Sequence, residues 1–147
     1  GRDGETIVYH IITNWDNLSE VTFFCQGAIN DRSDQIINLK HIDEYVKCKD
    51  NIYSFTRKRD LPRSEEHIAN YSVPFGVVYE SIFNKKYTKT FTWVPGMWIS
   101  VHKNVIKKVP IEVYKKILDM FHNSKTEIES RGLACCLERL IIHLFDP

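Results

Sequence analysis

The chain has 147 residues, 43% of them hydrophobic and 27% charged, and a formal net charge of +1. That length suffices for one continuous core, the charge balance gives no electrostatic case for binding nucleic acid, and no apolar run approaches the ~20 residues of a membrane helix. Gly1 leads without an initiator Met straight into a helix-like segment, so residues 1–147 read as one domain truncated at its N-terminus.

Asp3 suits the N-cap of a first helix reaching about Trp15, because Ile7, Val8, Ile11, Ile12 and Trp15 recur at helical spacing. After Asp16-Asn17, the run Val21-Thr22-Phe23-Phe24-Cys25 predicts a strand covered on both faces and ended by Gln26-Gly27. A helix feeding such a strand is the local pattern of an open α/β sheet, whose ligands collect at the carboxyl ends of strands. Asp34 caps a second predicted helix, Gln35 to Val46, and Asn51 to Phe55 forms a short strand. Thr56 to Ser72 turns polar and charged around Pro62, which predicts a functional loop such as a lid.

Val73 to Phe83 stays open between strand and helix, since Pro74 and Gly76 interrupt it. Phe91 to Val101 divides into two strand-like pieces at Pro95-Gly96, the second leading back into the sheet. A short helix follows around Asn104 to Lys108. Pro110 then opens another, which carries Ile111, Tyr114, Ile117, Leu118 and Phe121 along one face. The last helix, near Leu133 to Phe145, places Leu133, Leu137, Leu140, Ile141 and Leu144 in its core stripe and Glu138 and Arg139 off it.

Chemistry-bearing motifs are sparse. There is no Gly-rich phosphate loop, no HExxH, no CxxC pair and no G-x-S-x-G elbow. His10, His41, His67, His102, His122 and His143 show no i, i+4 pairing, and read as surface or satisfied core residues. Cys25, Cys48, Cys135 and Cys136 lack metal-ligand spacing and read as reduced, mostly buried thiols, which favours a reducing, cytoplasmic compartment. The sequons Asn17-Leu18-Ser19 and Asn70-Tyr71-Ser72 are too short to argue secretion. Arg57, Lys58, Arg59 and Arg63, like Lys85, Lys86 and Lys89, read first as solvated charge and second as anion contacts.

Taken together, Gly1-Arg2-Asp3-Gly4-Glu5-Thr6, His10-Ile11-Ile12, Asp16-Asn17-Leu18, Val21 to Gly27, Val94-Pro95-Gly96 and Leu137-Glu138-Arg139-Leu140 resemble the uncharacterised domain-of-unknown-function family 3431. The order of elements resembles the C-terminal part of a GT-A (nucleotide-diphospho-sugar transferase) fold. That resemblance spans nearly the whole chain. It implies an α/β domain with an open mixed sheet flanked by helices. It also implies transfer of a sugar from a nucleotide-sugar donor to a hydroxyl acceptor, a glycan or glycoconjugate. The alternative is a non-catalytic sugar-binding or scaffolding module that retains the fold.

Position by position, the resemblance makes Glu138 the base that takes the proton from the acceptor hydroxyl, a role that suits a carboxylate within hydrogen-bond reach. It puts Arg2 against the nucleotide or its phosphates, Gln26 and Gly27 at the donor, and Gly96 where backbone approaches a sugar. Trp98, or Trp93, would stack on a sugar face. Such folds hold a divalent cation, Mn or Mg, with an acidic pair at the end of the strand. Gln26-Gly27 stands at that point here, and Asp31 is the nearest carboxylate to serve the metal.

Overall fold

In the computed structural model, residues 3–25, 52–54, 59–61, 73–87, 91–93 and 97–145 are described. They form, in chain order, α1 (Asp3–Thr13), a 3-10 turn (Trp15–Asn17), β1 (Val21–Phe24), β2 (Ile52–Ser54), β3 (Arg59–Leu61) and α2 (Phe75–Phe83). There follow β4 (Phe91–Trp93), β5 (Ile99–His102), α3 (Lys103–Lys108), α4 (Ile111–His122) and α5 (Glu127–Phe145). The class is α/β and rich in helix, as the sequence predicts.

β5 organises the larger sheet. All four of its residues are buried, and it runs between β1 and β2, antiparallel to each. The register pairs Val21 with His102 and Phe24 with Ile99 on one side, and Ile52 with Val101 on the other. A smaller sheet pairs β3 with β4, again antiparallel. The mixed sheet expected from the sequence is therefore antiparallel throughout the described strands. β1 also differs from expectation. It flanks the described sheet, three of its four residues are only partly buried, and Cys25 after it is exposed.

The helices close over the sheet through the stripes their spacing predicts. α1 buries Ile7, Val8 and Ile11 and packs on α4, which buries Tyr114, Ile117 and Phe121. α5 is the central support and touches the four other helices as well as β4. It buries Leu133, Leu137, Leu140, Ile141 and Leu144, and begins at Glu127, six residues before the predicted start. Its first turn is fixed by a reciprocal capping box. The Thr126 hydroxyl accepts from the Glu129 N–H (3.1 Å) while the Glu129 carboxylate accepts from the Thr126 N–H (3.3 Å).

The segment left open by the sequence is settled, and one expected loop is revised. Val73 to Phe83 is helical from Phe75, because Pro74 stands at the N-cap, where its missing N–H removes no helical bond. That helix ends on Asn84, left-handed at φ 53°, whose N–H donates to Glu80 O. The polar stretch expected to be a loop contains β3. The predicted helix Gln35 to Val46 lies outside the described residues.

Candidate functional site

α1 and β1 lie side by side with a cleft of about 330 Å³ between them, within the size range of small-ligand sites. α1 contributes Asp3, Thr6, Ile7 and His10, and β1 with its following residue contributes Thr22, Phe23, Phe24 and Cys25. The spacing of Asp3, Thr6 and His10 puts one polar side chain per turn on the same flank of the helix. Ile7, Val8 and Ile11 meanwhile face the core. A carboxylate, a hydroxyl and an imidazole thus form a ladder of roughly 10 Å along one wall. The opposite wall is formed by β1 and Cys25 after it.

His10 is held from two directions. Its ring meets the Phe24 ring edge-on, with centroids 5.9 Å apart. The Asn14 amide nitrogen donates to His10 O at 2.9 Å and lies 3.4 Å from His10 Nδ1. Cys25 sits at the strand end. Burial, and then the nearby Asp3 carboxylate, raise its thiol above the ordinary value of 9.0. It is therefore protonated at neutral pH and is no activated nucleophile.

The residues that the sequence singles out divide into three groups. Arg2, Gln26, Gly27, Asp31 and Gly96 lie outside the described residues. Arg2 precedes Asp3 in the chain, and Gln26 follows Cys25. Trp98 is corrected. It is only 1% exposed, its ring is enclosed in protein rather than offered to a sugar, and its indole N–H has no acceptor among the described residues. The left-handed residue found near the Pro95-Gly96 signal is Met97, buried at φ 51°. Trp93 lies in β4.

Glu138 stands on α5 with its side chain 19% exposed, and its Oε2 is 3.9 Å from Nη1 of Arg139, itself 12% exposed. Arg139 also donates to Cys135 O at 2.8 Å. Glu138 is not among the residues lining the cleft.

The other predictions about side chains fare unevenly. Cys136 is buried and Cys135 half-buried, as expected of neighbours on a helix, whereas Cys25 is exposed. His102 is a satisfied core residue. Its Nδ1 accepts from the Asn104 N–H at 3.1 Å, capping α3, and its Nε2 is 3.8 Å from Glu20. Among the described residues, no group of three His, Cys, Asp or Glu side chains is placed to hold a metal ion. Asp3 is the one carboxylate in the cleft lining. No helix among the described residues is long and apolar enough to cross a membrane.

The polar ladder escapes sequence reading because Asp3, Thr6 and His10 look like the solvent side of an amphipathic helix. Their only signal is three different polar chemistries at 3,4 spacing directly beside the core stripe. No protein-family model, no curated protein and no solved structure matches the chain.

Proposed function

We propose that the chain is a glycosyltransferase-like domain that binds a nucleotide-sugar donor and transfers its sugar to a hydroxyl acceptor on a glycan or glycoconjugate. One observation carries this reading. The cleft reaches the end of β1 beside the N-terminus of α1, and its volume of about 330 Å³ suits a small ligand. The sequence resemblance assigns donor contacts to Arg2, Gln26 and Gly27, which adjoin Asp3 and Cys25 in the chain. In the transfer, the acceptor oxygen bonds to the anomeric carbon, the nucleoside diphosphate leaves with the electron pair of the broken bond, and Glu138 takes the acceptor proton.

A second reading is a sugar-binding or scaffolding module that retains the fold without the chemistry. The ion pair of Glu138 with Arg139 favours it, as does the position of Glu138 outside the cleft lining. A panel of nucleotide-sugars with Mn or Mg separates the two. Transfer or donor hydrolysis by the wild type, reduced at least about a hundredfold in Glu138→Gln, supports the enzyme and its base. Activity unchanged in Glu138→Gln removes the base assignment. Binding without turnover selects the module, and no binding of any nucleotide-sugar overturns the enzyme reading.

A further inference from the structure

We draw no further inference here: the strongest candidate, the cleft between α1 and β1, belongs to the site already described, and nothing in the structure shows which ligand chemistry it takes.

Discussion

Gly4 and Leu137 are in near-contact: a β-carbon built on Gly4 would lie 2.9 Å from Leu137 Cδ2. It would also lie 3.4 Å from Leu137 Cβ and from Phe121 Cζ, so the space is closed on two sides by α5 and α4. Gly4 is what lets α1 approach that closely. The missing side chain is an adaptation to packing, since a glycine inside a helix otherwise costs about 1 kcal/mol against alanine.

Gly4→Ala accordingly pits a propensity gain against overpacking. Leu137 is 2% exposed and has little freedom to move aside, so the expected net effect is a loss of about 1 kcal/mol, growing to about 3 kcal/mol for Gly4→Val. A double-mutant cycle by urea denaturation checks the cause. In a Leu137→Ala background the Gly4→Ala substitution should become neutral or stabilising. A loss of the same size in both backgrounds would show that Leu137 is not the obstacle.

Tyr114 gives a prediction with a pH dependence. Its buried hydroxyl donates to Ile106 O at 2.9 Å, and burial raises its phenol far above the ordinary value of 10.0. The folded state therefore holds this proton where the unfolded state releases it. The stabilisation is complete below pH 10 and declines as pH rises above it. Tyr114→Phe should cost about 1–2 kcal/mol at pH 7, because the Ile106 carbonyl loses its buried donor. Denaturation at pH 8 to 11 should also show a shallower alkaline decline in the variant. Parallel declines in the two proteins would exclude Tyr114 as the source.

The cysteines should separate kinetically. Burial pushes the Cys136 thiol up to about 12, and its side chain is enclosed, with Sγ 3.6 Å from Val73 O. Cys25 is exposed with a more modest rise. In native buffer iodoacetamide should modify Cys25 steadily, faster as pH rises, while Cys136 reacts only at the rate at which the helix core opens. Comparable labelling of both thiols would contradict the packing of α5.

His102 and Thr126 each hold the start of a helix through one side-chain acceptor. Thr126→Ala is expected to cost about 1 kcal/mol. His102→Ala should cost more, since it also empties a buried position between β5 and α3. His102→Asn keeps an acceptor near the Asn104 N–H and should recover part of the loss. Thermal melts of the three variants at one pH provide the comparison, and an equal loss for His102→Ala and His102→Asn would show that the cap contributes nothing.

Much of the helical architecture is legible in the sequence because it rests on periodicity, which burial then obeys. The stripes of α1, α4 and α5 are examples. What escapes is local chemistry that contradicts composition. β3 is missed since Arg59-Asp60-Leu61 lacks any apolar alternation and gains its identity from pairing with β4. The start of α5 is missed although Thr126-Glu127-Ile128-Glu129 spells a capping box, because its apolar stripe begins only at Leu133. β1 is misjudged as doubly covered, since a run of apolar residues does not say how many faces are occupied. The site is the least legible part. Trp98 carries the right chemistry for a sugar and is spent on the core, whereas the polar ladder of α1 carries an ordinary surface composition.

β1 and β2 both depend on β5, and β5 is made long after them. During synthesis Phe24 waits for Ile99, roughly 75 residues later, a delay of about 4–15 s at ribosomal rates of about 5–20 residues per second. Through that interval the aromatic strand Val21–Phe24 lacks its partner among the described strands. A nascent chain stalled before residue 99 would hold Val21–Phe24 without Ile99–His102 to pair it, which makes this strand a target for chaperone protection.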